Sequence, residues 1–151
     1  NYIKMKNIFF VLVFVIFVQC GFKPTFANKE VNFKIEKIKS NKKIEIIENR
    51  LNNLNITNPE FFYDLEIDYS ESKMTLSKNS QGKSLLLRIQ MNLDLKVIEN
   101  NKIIMEKNYL SNFDYQNLDK KFELSDYEDE IKKSMFDEIA NKILIDLTDL
   151  K

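Results

Sequence analysis

Leu85-Leu86-Leu87-Arg88-Ile89-Gln90-Met91-Asn92-Leu93-Asp94-Leu95-Lys96-Val97 is the stretch that decides the architecture of this 151-residue chain. Leu85, Leu87, Ile89, Met91, Leu93, Leu95 and Val97 occupy alternate positions, and Arg88, Gln90, Asn92, Asp94 and Lys96 fall between them. Successive side chains of a strand point to opposite faces. The pattern therefore predicts one long strand with a core side and a side that is either wet or covered by a partner.

Just downstream, Glu99-Asn100-Asn101 predicts a hairpin turn, because Asn tolerates the positive φ that tight hairpins demand. Ile103, Met105, Tyr109, Phe113 and Tyr115 continue as a further strand. Upstream, Ser77 to Gly82 predicts a loop. Before it Phe61, Tyr63, Leu65, Ile67 and Tyr69 alternate with Asp64, Glu66 and Asp68, and earlier Val31, Phe33 and Ile35 alternate with Asn32, Lys34 and Glu36. Ile44, Ile47, Leu51 and Leu54 are spaced as one face of a helix, with Ser40-Asn41 as its expected N-cap and Asn58-Pro59 closing it. A second, long helix follows from Ile131, Met135, Ile139, Ile143 and Leu147, with Phe136, Ala140 and Leu144 beside them. Ser125-Asp126-Tyr127-Glu128 in front of it has the form of a capping box, which accounts for the local acids better than a metal site does. The expectation is an α+β domain over residues 31–151. Two helices pack on one face of a four-stranded, mostly antiparallel sheet in the order β-α-β-β-β-α.

The N-terminus reads differently. Lys4 and Lys6 precede Ile8 to Val18, which is apolar at every one of its 11 positions. A membrane-spanning helix takes about 20 residues, so a run of this length reads as the hydrophobic centre of a secretory signal. Met5, placed just before Lys6 and the apolar run, is a candidate initiator. The run ends at Phe17-Val18-Gln19-Cys20-Gly21. A Cys in this place resembles a lipobox, in which the thiol is acylated and becomes the mature N-terminus. Phe17 stands where Leu is common, and Gln19 where Gly, Ala or Ser is usual. Residues 1–19 are thus expected to be a signal peptide, Cys20 the lipid attachment site, and 20–30 a lipidated tether. Each buried methylene adds about 0.8 kcal/mol of membrane affinity, so several acyl chains hold a protein stably on a bilayer.

Composition excludes much chemistry. The chain carries 23 basic and 23 acidic side chains, and removing Lys4 and Lys6 with the leader leaves 21 against 23. So balanced a chain has no electrostatic footprint for nucleic acid. With no His and a single Cys, it lacks the usual proton shuttle near neutral pH, a disulfide framework and a thiolate zinc site. Its two glycines, Gly21 and Gly82, build no phosphate-cradling loop. No cofactor and no metal are expected. Asp64, Glu66 and Asp68 are the candidate carboxylates for a secreted hydrolase, but they alternate along one strand face with nothing to raise a pKa.

Cys20-Gly21-Phe22-Lys23-Pro24, an early strand leading into a helix, long central hairpin strands and a closing helix after Phe122-Glu123-Leu124-Ser125 together resemble the LptE family of lipopolysaccharide-assembly lipoproteins. The resemblance runs over nearly the whole chain, and its motif-like part is Cys20-Gly21-Phe22. It implies a non-enzymatic protein lipid-anchored to the periplasmic face of the outer membrane. There it would sit as a plug and assembly factor in the LptD β-barrel and assist lipopolysaccharide transport to the cell surface. Gly21 after the Cys resembles lipoproteins sorted to that membrane. Arg88 and Lys96, on the polar side of the third strand, are the candidates for lipopolysaccharide phosphates. Another outer-membrane lipoprotein of binding type, such as a pilotin or an accessory factor of a different envelope machine, is the alternative.

Overall fold

The alternating stretch forms β3 (Ser84–Glu99), an inner strand of a four-stranded sheet. The structure, a computed structural model, describes residues 32–150 apart from 43, 55 and 57. The expected leader, tether, Cys20 and the start of the first strand at Val31 lie outside the described residues. β1 (Phe33–Ser40), α1 (Glu45–Asn52), β2 (Phe61–Lys78), β3, β4 (Lys102–Gln116) and α2 (Lys121–Thr148) follow one another in the expected order.

The strands lie side by side in chain order, β1-β2-β3-β4. β1 pairs parallel with β2, and the other two ladders are antiparallel. Parallel neighbours need a crossover, which the segment carrying α1 supplies. Antiparallel neighbours take tight turns. Asn100 and Asn101, at φ 50° and 61°, turn β3 into β4, and Glu99 pairs with Lys102 across them. The β2–β3 loop closes at Gly82, whose φ of 81° suits a residue without Cβ, while Asn79 Oδ1 accepts from the backbone of Gln81 and Lys83.

One sheet face and both helices share a single core. Tyr63, Leu65, Ile67 and Tyr69 of β2 and Leu87 through Val97 at alternate positions of β3 are buried. They pack with Ile47 and Leu51 of α1 and with Ile131, Met135, Ile139, Ile143 and Leu147 of α2. The α+β fold with two helices on one sheet face is therefore the fold that the alternation and the four-residue spacing predict.

Several local expectations are corrected. Neither helix has the side-chain cap read from sequence: α1 begins after Ile44 and α2 after Lys120, without a capping side-chain bond at either. Asn41 instead continues the β1 edge, donating to the Tyr69 carbonyl at 3.1 Å and accepting from the Tyr69 N–H at 2.9 Å. An amide can satisfy both backbone groups left open beyond the last β1–β2 pair, and a cap would use only its acceptor. Ser125 lies about one turn and Glu128 about two turns inside α2, and Glu128 is turned toward the sheet. The first helix ends at Asn52, ahead of Asn58-Pro59. β2 runs nine residues beyond Tyr69, because β3 offers ladder partners along that length. Leu85 is 48% exposed and Phe113 is also exposed, since no buried residue of α2 precedes Ile131. Ile103 is displaced by a register shift: β3 passes from Val97 to Ile98 while β4 passes from Met105 to Ile103, so Ile103 leaves the core face.

Candidate interaction face

On the face of the sheet away from the helices, charged residues cross all four strands in a row, while Phe62, Met74, Ile103 and Leu110 are exposed elsewhere on it. Lys39, Glu66, Lys96 and Glu106 are successive cross-strand partners, so their charges alternate from one sheet edge to the other. Lys39 Nζ lies 2.9 Å from Glu66 Oε1, and Lys96 Nζ lies 3.6 Å from Glu106 Oε1. Opposite charges directly across a ladder stabilise the pairing. The hydrogen bond from Lys39, and then its charge, hold the Glu66 carboxyl below its ordinary pKa, and the same contacts raise Lys39.

In the next row but one Asp68 stands opposite Asp94, with Asn108 beyond. Amides relieve this like-charge pair. Asn41 donates to Asp68, and Asn108 Nδ2 donates to Asp94 Oδ1 at 2.7 Å. These two rows line an open trough of about 740 Å³. Further along β3, Arg88 grips Asp114 of β4 with two bonds, Nε to Oδ1 at 2.5 Å and Nη2 to Oδ2 at 2.7 Å.

Arg88 and Lys96 thus lie on the face expected of them, each against a carboxylate. The structure does not bring them together: eight residues of strand separate them, about 27 Å at the usual rise. Of the three candidate hydrolase carboxylates, Glu66 and Asp68 line the trough and Asp64 does not. Glu66 is shifted down, opposite to the direction that suits a general acid at neutral pH. Among the described residues no group of three or more His, Cys, Asp or Glu side chains could hold a metal ion, and no helix is long and apolar enough to cross a membrane.

The helix-covered face holds an arrangement that sequence reading missed. Three buried tyrosines each donate to a carboxylate that also takes a lysine. Tyr109 of β4 donates to Asp146 Oδ2 at 2.6 Å, and Lys107 meets Asp146 Oδ1 at 2.6 Å. Tyr115 donates to Glu128 Oε1 at 2.7 Å, and Lys73 of β2 reaches the same oxygen. Tyr69 donates to Glu71 Oε2 at 2.7 Å, and Lys132 of α2 lies 3.4 Å from Glu71 Oε1. All three clips tie α2 to the sheet. Burial first, then the carboxylate contact, raises the pKa of each of these tyrosines well above 10. Burial pushes Glu71 and Glu128 up, but the tyrosine hydroxyls and lysines outweigh it and both end below their ordinary value. Asp146 sits in the last turn of α2, where the helix dipole disfavours an acid, and Lys107 supplies the compensating charge from β4. The available signal was the set of polar residues interrupting the apolar alternation at 71, 73 and 107.

No family model and no curated protein matches this sequence. Solved structures do resemble it. Rare lipoprotein B from Shewanella oneidensis superposes with a TM-score of 0.60 at 19% identity, covering 76% of this chain and 92% of that one. A minor lipoprotein from Acinetobacter baumannii gives 0.59 at 13% identity, with 78% and 91% covered. Lipoprotein B from Nitrosomonas europaea gives 0.60 at 16% identity, with 82% and 88% covered. The chain shares the fold of these bacterial lipoproteins.

Proposed function

We propose that this chain is a lipid-anchored outer-membrane lipoprotein facing the periplasm, which works as an LptE-like plug and assembly factor for an LptD-type β-barrel and so assists lipopolysaccharide transport. The observation that carries the reading is the lipoprotein fold lying downstream of an apolar leader that ends at Cys20. The polar sheet face supports it. The row Lys39–Glu66–Lys96–Glu106, which alternates in sign and carries its own counter-ions, is a strip that a polar barrel lumen can cover without stranding a net charge. The reading needs no catalytic group, cofactor or metal.

Cys20 is then the acylated residue, and Arg88 and Lys96 are separate contacts for lipopolysaccharide phosphates. Each would exchange a carboxylate partner, Asp114 or Glu106, for phosphate. The test is genetic replacement: the full chain is expressed in a bacterium lacking its own LptE, and mature LptD is followed together with the envelope's permeability to large antibiotics. Restored LptD maturation, lost again in Cys20→Ala, is the expected result. Failure to restore it while mass spectrometry shows an acylated N-terminus would remove the plug role and leave an accessory lipoprotein of another envelope machine.

A further inference from the structure

α2 is not anchored evenly along its 28 residues. From Ile131 onward it buries a residue on nearly every turn: Ile131, Met135, Ile139, Ala140, Ile143 and Leu147. Its first ten residues, 121–130, bury none. Phe122 is 89% exposed, and Leu124 is only partly covered. What binds this third to the sheet is one polar cluster on Glu128, which Lys73 of β2 and Tyr115 of β4 approach together, beside an edge-to-face contact of Tyr127 on Tyr115 at 6.1 Å. Lys132, one turn on, adds the remaining charge near Glu128.

We propose that residues 121–130 are a latch: this third of α2 opens and closes on the distal end of the sheet as a unit separate from the buried remainder, and the Lys73–Glu128–Tyr115 cluster is its catch. The division follows from where free energy resides. Segments with few buried apolar contacts open locally, at a cost far below that of global unfolding. Here the apolar term is reduced to the partly buried Leu124 and the ring contact of Tyr127, and the charged hydrogen bonds to the sheet are concentrated at one residue. Glu123 in the first turn complements the positive end of the helix dipole, so the segment keeps some helical preference when unlatched. Opening bares Tyr115 and its ladder partner Leu87 next to Leu85 and Phe113, which are already exposed.

Amide hydrogen exchange on the full chain tests this. Residues 121–130 should exchange faster than 135–147 in the parent. In Glu128→Gln, which keeps the side chain's shape but breaks the ion pair, protection of 121–130 should fall by about tenfold or more while 135–147 and the strands stay unchanged. Lys73→Met attacks the catch from the sheet and should act in the same way. Equal loss of protection along all of α2 would show one rigid helix and overturn the latch. Unchanged protection at 121–130 in both variants would remove Glu128 as its catch and overturn it equally.

Discussion

The two faces of the sheet use the same pairing, a lysine against a carboxylate, in opposite circumstances. On the polar face Lys39 and Glu66 remain 60% and 42% exposed. On the helix face Glu128 and Asp146 are 16% and 19% exposed, and each also accepts a tyrosine hydroxyl. Exposed pairs are screened by water and salt and contribute little. Half-buried carboxylates that would be stranded without their partners cost more to disturb. Charge on this molecule therefore does two jobs. One face presents its charge at the surface, and the other uses charge to fasten a helix.

The apolar core beneath the clips should outweigh both. Ile139 is fully buried at the middle of α2. Ile139→Ala removes three heavy atoms and leaves a cavity, so an unfolding free energy lower by about 2–5 kcal/mol is expected in urea titration. A loss under 1 kcal/mol would mean that α2 is held chiefly by its polar clips, reversing the ranking of the two kinds of contact. Tyr109→Phe is the matching test of a clip. It keeps the ring packing and takes one hydrogen bond from Asp146, with an expected cost of about 1–2 kcal/mol. Asp146→Asn in the same background should then cost less than it does alone, because the two changes act on one contact.

Alkalinity should separate the faces further, whereas acid acts on both, since Lys39 and Arg88 also hold Glu66 and Asp114 below their ordinary values. Glu71 and Glu128 are held below their ordinary carboxylate value by folding, so their stabilisation is complete above about pH 4.5 and is lost as pH falls through their lower folded values. Tyr69, Tyr109 and Tyr115 are held above their ordinary value of 10.0, so their contribution is complete below that pH and is lost as pH rises past it. Thermal unfolding followed against pH should show a plateau between these limits. Glu128→Gln should shallow the acid limb while the plateau between the limbs remains, whereas an identical acid limb would assign acid sensitivity to other groups.

Legibility divides along the same line. Periodicity exposed each strand and helix among the described residues, because burial of one face imposes a period of two or of about four on the chain. The Asn100-Asn101 turn was readable because its backbone requires residues that accept positive φ. The caps were misread because Asn41 and Glu128 meet partners 28 and 13 residues away, on strands whose register local sequence does not specify. The clips were hidden for the same reason: Lys73 and Glu128 are 55 residues apart. Arg88 and Lys96 were placed on the correct face, but the carboxylates they meet on β4 depend on a register that includes one shift near Val97.

The smallest expected effect belongs to the polar rows. Lys96 lies opposite both Glu66 and Glu106, its ammonium 3.6 Å from the latter, and about half of its side chain is exposed. Lys96→Ala should therefore change the unfolding free energy by less than about 0.5 kcal/mol, and added salt should shrink even that difference. A cost near that of Tyr109→Phe would show that the row behaves as a coupled, partly desolvated network, and the polar face would then be a structural element in its own right. A near-zero cost instead leaves the row free to exchange partners: a lysine that contributes almost nothing to folding gives up almost nothing when Glu106 is replaced by an anionic group from outside.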